Sequence, residues 1–200
     1  MIAEYIGRDE NGRQVIEGIA EDITERKNLE KELLELATHD PLTDLYNRRY
    51  LSEKLEEEVR RADRYGRTLG VLLFDLDGFK HINDLLGHPA GDKLLIQVAK
   101  TIAHFTRAAD CAARLGGDEF VLVLPETSNR TAHQLAARIG KQIADIRISI
   151  ENSVITTHAS IGIAIYPEDA PTCEMLLAAA DVAMYKAKSS GNGCQNSPST

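Results

Sequence analysis

An α+β sandwich, with helices packed on a mainly antiparallel sheet, is the fold the sequence predicts, and it rests on three observations. Leu69 to Leu76 is a continuous apolar run closing on acids, Leu72-Leu73-Phe74-Asp75-Leu76-Asp77, the pattern of a strand buried on both faces. Arg114-Leu115-Gly116-Gly117-Asp118-Glu119-Phe120 sets a glycine pair between two apolar runs, and glycine takes the positive φ angles that a two-residue hairpin turn needs. Around these stretches apolar residues recur at helical spacing. From residue 69 the order is therefore a strand, two helices, a hairpin, a helix, a strand and a helix.

Taken in order, residues 1–23 hold the polar turn Asp9-Glu10-Asn11-Gly12-Arg13 and an apolar-leaning strand from Gln14 to Ala20, a hairpin without a core of its own. Asp22 or Thr24 can cap the next helix. There Ile23, Leu29, Leu33 and Leu36 form a narrow apolar stripe among Glu30, Lys31, Glu32 and Glu35. Such a helix either pairs as a coiled coil, for dimerisation or signal transmission, or lies as a linker on the domain. Pro41 breaks it, because the residue before a proline is pushed out of the helical region. Tyr50, Leu51, Leu55 and Val59 carry a helix up to Tyr65-Gly66. Phe79 to Leu86 and Leu94 to Phe105 read as helices separated by Gly87-His88-Pro89-Ala90-Gly91. Cys111 to Leu115 and Phe120 to Leu124 are the hairpin strands. A helix from Thr131 to Ile143, a strand from Thr156 to Tyr166, an alanine-rich helix from Met175 to Lys188 and a polar tail from Ser189 follow. The expected divisions are 1–23, a helix at 24–39, the main domain at 40–191 and a disordered tail at 192–200.

The chain of 200 residues is long enough for one substantial core with an appendage. Its net charge of −8 excludes a general grip on nucleic acid, which needs a basic face. A small anionic substrate would need local help. Cys111, Cys173 and Cys194 form no C-x-x-C pair, which fits packing roles in a reducing compartment and argues against structural zinc. No apolar run approaches the ~20 residues of a membrane span, and no signal-like segment follows Met1. A cytoplasmic segment without membrane contact is expected, leaving room for an anchor or sensor upstream in a longer parent.

Asp75 ends the first strand and Asp118 begins the strand after the turn. If those strands are neighbours, the two carboxylates meet at one sheet edge and suit Mg²⁺, which takes one or two protein carboxylates and fills its octahedron with waters and phosphates. The alternative is that the turn acids keep the tip soluble. Glu119 points the other way in a regular strand, or swings inward beside the turn as a second ligand or a base. Asp77 is either part of this group or a structural acid paired to a nearby base. Gly78-Phe79-Lys80 opens a helix whose free amides, with a lysine, make a natural phosphate seat, and Lys80 is the main triphosphate contact expected. Asn83 and Asp92 flank the Gly87 to Gly91 loop. They suit the adjacent N1–H and N2–H donors of guanine, or else are a plain helix residue and a helix cap.

These residues reach a resemblance. Asp40-Pro41-Leu42-Thr43, Asp75-Leu76-Asp77-Gly78-Phe79-Lys80-His81-Ile82-Asn83-Asp84, Gly87-His88, Gly91-Asp92, Arg114 to Phe120, Ser160-Ile161-Gly162 and Ala180-Asp181 with Tyr185-Lys186-Ala187-Lys188 resemble the GGDEF family of diguanylate cyclases, from Asp40 to about Gly191. The resemblance implies a palm-like sheet of the nucleotide-cyclase type. It also implies a homodimer in which two GTP molecules, one on each facing domain, condense to cyclic di-GMP and two pyrophosphates, with Mg²⁺ or Mn²⁺ as cofactor. Asp75, the Leu76 carbonyl and Asp118 would bind metal with Glu119 assisting, and Asp118, Glu119 and Lys80 would be catalytic. Asn83 and Asp92 would read guanine. Lys80, Lys188 and the amides at Gly78 and Phe79 would hold phosphates, with His88 and Arg114 completing the substrate set.

Arg107-Ala108-Ala109-Asp110 matches the family's RxxD product-inhibition site, with Arg138 as its further arginine; the plainer reading is a local ion pair at a helix end. Residues 1–26 resemble the closing strands of a PAS sensor. Gly191-Asn192-Gly193 departs from the family's Gly-Arg-Asn, removing a phosphate-binding arginine, and Asp44 and Tyr46 stand where glycine and proline are common. The other reading the resemblance allows is an inactive module that binds GTP or cyclic di-GMP to regulate a partner.

Overall fold

The computed structural model of the chain describes residues 2–8, 10–19, 22–150, 153–190 and 194–196. It has two compact units, Met1–Ala37 and Thr38–Thr200. In the first, β1 (Ile2–Arg8) and β2 (Gln14–Ile19) pair antiparallel about a turn in which Gly12 takes a φ of 76°. α1 (Thr24–Thr38) follows, and Asp22 Oδ1 accepts from the Thr24 N–H at 2.9 Å, satisfying one amide that the helix start leaves free. Leu29, Leu33 and Leu36 of α1 are each more than half exposed, and the pairs Arg26–Glu30 and Lys31–Glu35 span its turns.

The second unit contains, in chain order, β3 (Tyr46–Asn47), α2 (Arg48–Tyr65), β4 (Leu69–Leu76), α3 (Phe79–Leu86) and α4 (His88–Phe105). There follow β5 (Cys111–Gly116), β6 (Glu119–Pro125), α5 (Asn129–Ala144), β7 (Ile148–Ile150) and β8 (Ser153–Ile155). β9 (Ala159–Tyr166), α6 (Cys173–Ser190) and β10 (Cys194–Asn196) complete it. One sheet has the order β10-β9-β4-β6-β5-β3. Its inner strands are all antiparallel, and only the edge pairs, β10 with β9 and β3 with β5, are parallel. This is the mainly antiparallel α+β plan that the sequence predicts.

The period-2 geometry of β4 sorts its side chains between two helix layers. Leu72, Phe74 and Leu76 join a core with Leu94 and Val98 of α4 and Ile139 of α5. Leu69, Val71 and Leu73 join another with Leu51 and Leu55 of α2 and Leu176 and Met184 of α6. Every residue of β4 except Asp75 is buried, so the one charge on the strand sits where the apolar sandwich ends. β9 lies against α6 so closely that a Cβ on Gly162 would collide with the Ala180 carbonyl oxygen and come 2.8 Å from Met184 Cβ.

Several boundaries differ from the sequence reading for identifiable reasons. α4 starts at His88 rather than Leu94, because Pro89 sits in the first turn, where its missing N–H costs nothing. β9 starts at Ala159 rather than Thr156, and the short β7–β8 hairpin before it carries too little apolar pattern to be read. The polar tail contributes β10, which pairs with β9 and covers the edge that β9 would otherwise leave bare. The turn is Gly117-Asp118, not Gly116-Gly117: Gly116 at φ 140° belongs to β5 and pairs with Glu119, and the register shifts between Arg114 and Gly116. Asp44 stands at φ 61°, a left-handed position that glycine takes freely and a short polar side chain tolerates. Asn192 lies outside the described residues. Cys111 is buried, which pushes its thiol up to about 11, and Cys173 is half-buried; both are free. Among the described residues no helix is long and apolar enough to cross a membrane.

Candidate active site

The antiparallel register sets Asp75 directly opposite Glu119 on one side and Ser160 on the other. Directly paired residues share a face, so Glu119 lies on the α2/α6 side with Asp75. Of the two orientations the sequence leaves open for Glu119, the β4–β6 register selects the one on the side of Asp75. Asp118 sits in the turn beside them.

The electrostatics mark these carboxylates as mutual neighbours. Burial first, then the charge of Asp75, raises the Asp118 pKa above the ordinary aspartate value. Glu119 is raised by burial and then by Asp75, Asp118 and Asp181, while Arg48 at the start of α2 works in the opposite direction. Lys188, from the last turn of α6, donates from Nζ to Asp75 Oδ1 at 2.6 Å, and this bond raises the lysine pKa. Half-buried acids whose charged forms are disfavoured gain from a cation. Among the described residues no three His, Cys, Asp or Glu side chains form a closed metal cage. The neighbouring donors are carboxylate oxygens, the ligand type that suits a hard ion such as Mg²⁺ or Mn²⁺, which takes few carboxylates and completes its shell with phosphates. Leu76, the other residue of the expected metal set, ends β4 opposite Ala159.

Asp77 is held by hydroxyl and backbone groups, and its charge also acts on the Lys188 ammonium. The buried Ser160 hydroxyl donates to its Oδ1 at 2.8 Å, its N–H donates to the His158 carbonyl at 2.9 Å, and the Thr157 hydroxyl donates to its carbonyl at 3.2 Å. These bonds pin the turn into α3, where Gly78 takes a φ of 73° and Phe79 is buried. Lys80 and His88 are exposed on the first turns of α3 and α4. Asn83 Oδ1 is buried without a hydrogen-bond partner, and a Cβ on Gly91 would collide with it, so α3 and α4 touch through this amide. Asp92, the next residue on α4, is exposed.

Arg114 is committed within the protein. Its Nη1 lies 3.1 Å from Asp40 Oδ1, and its Nε and Nη2 donate to the Gly117 carbonyl at 3.1 and 2.8 Å. Asp40 Oδ1 also accepts from the Thr43 N–H and hydroxyl at 2.9 and 2.6 Å, so Asp40 to Thr43 braces the hairpin turn through Arg114.

Away from the acids, Arg107, Asp110 and Arg138 line one cleft of about 380 Å³ with Phe105, Thr127, Thr131 and Gln134. The Asp110 carboxylate accepts from the Arg107 backbone N–H at 2.8 Å, and the Arg107 charge also acts on it. Burial raises the Asp110 pKa. Arg138 lies over the Phe105 ring, 5.1 Å from its centroid. Ser160, Arg48 and Asp181 were not assigned roles from sequence; only the strand register and the packing of α2 and α6 bring them to the acids.

The family described as "Diguanylate cyclase, GGDEF domain" matches residues 37–194. This chain belongs to the GGDEF family. It is 47% identical over 161 residues to the bifunctional diguanylate cyclase/cyclic di-GMP phosphodiesterase MucR of Pseudomonas aeruginosa, covering 80% of this chain and 23% of that protein. The solved GGDEF domain of TpbB from Pseudomonas aeruginosa superposes with a TM-score of 0.76 at 41% identity, covering 80% of this chain and 94% of that one. The GGDEF domain of DgcB from Caulobacter crescentus, solved in complex with c-di-GMP, gives 0.76 at 27% identity over 82% and 94%. The chain spans less than half the length of the curated GGDEF relatives MucR and TpbB, 23% and 36%.

Proposed function

We propose that this chain is a diguanylate cyclase that condenses two GTP molecules into cyclic di-GMP and two pyrophosphates within a homodimer. The observation that carries the reading is the convergence of Asp75 and Glu119 in register beside Asp118, at the end of β4 from which α3 begins. Asp75, Asp118, Glu119 and the Leu76 carbonyl would hold Mg²⁺ or Mn²⁺, which would neutralise charge developing on the phosphates. The first amides of α3 and Lys80 bind and orient the triphosphate. Asn83 and Asp92 read guanine, whose N1–H and N2–H donors a carboxylate and an amide oxygen can accept. The 3′-oxygen of one GTP attacks the α-phosphorus of the other, the bond to pyrophosphate breaks, and the hydroxyl proton passes to Glu119 or to solvent. The reciprocal attack closes the ring. Each attack needs the opposing nucleotide, so two copies must face one another. Residues 1–23 then form the end of a PAS-like sensor and α1 the dimerising or signal-transmitting helix, in a cytoplasmic location. The direct test is incubation of a verified dimer with GTP and Mg²⁺; absence of cyclic di-GMP removes the enzyme reading in favour of a nucleotide-binding module.

The cleft lined by Arg107, Asp110 and Arg138 is proposed as the product-inhibition site. Its guanidinium groups suit phosphates and a guanine edge, and its half-buried carboxylate suits guanine N–H donors. Arg107→Ala is expected to raise the concentration of cyclic di-GMP that halves the rate by about tenfold or more, through loss of a charge-assisted contact, with the initial rate unchanged. An inhibition curve that does not move counts against the site.

A further inference from the structure

The Lys188 ammonium occupies the same carboxylate that the metal needs. Nζ is 2.6 Å from Asp75 Oδ1, and Asp75 is the one charged residue of an otherwise buried β4. The lysine is placed by its helix: Gly162 lets β9 approach the backbone of α6 at Ala180 and Met184, and buried Ala187 fixes the turn before it. Its flexible stem, 47% exposed as a side chain, leaves the ammonium able to exchange partners.

A divalent ion and an ammonium cannot share one oxygen cheaply. At about 4 Å their repulsion disfavours joint occupancy more than tenfold even at the dielectric of water, and more strongly beside half-buried acids. A triphosphate offers the ammonium several alternative anionic oxygens, whereas a bare metal ion offers it none.

We propose that Lys188 is a tethered counter-ion that holds Asp75 against free metal until a nucleoside triphosphate draws the ammonium away, so that metal and nucleotide enter together. This rests on the cyclase reading for the identity of the nucleotide, but the competition with metal does not require turnover. Without nucleotide, the site is closed to divalent ions by its own lysine. With nucleotide, the same charge moves to the phosphates and the oxygen of Asp75 is released.

The test is Mn²⁺ binding to the nucleotide-free chain, read from the electron paramagnetic resonance of free Mn²⁺, for the wild type and Lys188→Met in 0.15 and 0.5 M KCl. Lys188→Met is expected to bind Mn²⁺ at least about tenfold more tightly, with the gain kept at the higher salt, where a merely long-range field is screened. Lys188→Gln is expected to behave likewise and Lys188→Arg like the wild type. In EDTA, GTP affinity of Lys188→Met is expected to fall about tenfold, because the phosphates lose their cation. Unchanged or weaker Mn²⁺ binding in both neutral variants, a gain that vanishes at 0.5 M KCl, or GTP binding that does not move overturns the exchange. A wild type that makes no cyclic di-GMP while the neutral variants still bind Mn²⁺ more tightly ends the enzyme reading and leaves the competition standing.

Discussion

Asp118→Asn is expected to lower cyclic di-GMP formation by at least about a thousandfold while leaving the melting temperature equal to or above that of the wild type. Loss of a group that merely orients a ligand commonly costs 10- to 100-fold, and Asp118 is expected to touch the metal itself. The stability half has a separate cause. Burial and the neighbouring Asp75 hold the Asp118 pKa above its usual value, so the charged form is less comfortable folded than unfolded. Replacing it with a neutral isostere removes that repulsion. The sign fixes the pH dependence: a raised carboxylate pKa means the folded state gains relative stability as pH falls and the group protonates. The advantage of the variant is therefore present at neutral pH and disappears in acid, where the wild-type side chain is neutral as well. Cyclic di-GMP assays on verified dimers and thermal melts at pH 7 and pH 4 check both halves. A variant that loses activity only by unfolding would remove Asp118 from the site.

The contrast between local pattern and long-range register explains what the sequence could show. The apolar run of β4 closing on Asp75, the glycine-containing hairpin and the helical spacings are local signals, and each leads to an element of the fold, with the turn displaced by one residue to Gly117-Asp118. Which acid faces Asp75 is not local. It depends on the register in which β6 pairs with β4, and a one-residue change of that register exchanges the faces of a strand. Arg114 shows the same limit. The resemblance implies a substrate contact for it, and its donors go to Asp40, 74 positions away, and to the turn that follows it. Asn83 was legible as a polar residue beside a glycine loop; that Gly91 leaves its oxygen buried without a partner is visible only once α3 and α4 are packed.

Gly162→Ala is expected to destabilise the domain by roughly 2–4 kcal/mol, the upper end of overpacking costs, lowering the melting temperature by about 5–15 °C. The collision is with the Ala180 carbonyl oxygen and the Met184 backbone and Cβ, none of which can rotate out of the way. The strand or α6 must move instead, and α6 carries Lys188 and Asp181 to the acids. Gly140 in α5 supplies the control. A Cβ there meets only Ile161 Cδ1 at 3.2 Å, the end of a side chain that can adjust. Alanine also gains up to about 1 kcal/mol over glycine inside a helix. Gly140→Ala is therefore expected to be neutral or slightly stabilising. The same added methyl group at two glycines then has opposite outcomes, decided by whether backbone or a flexible side chain stands in its path. Thermal and urea unfolding of both variants checks this, and equal stability of Gly162→Ala and the wild type would show that the packing of α6 on β9 is looser than the contact requires.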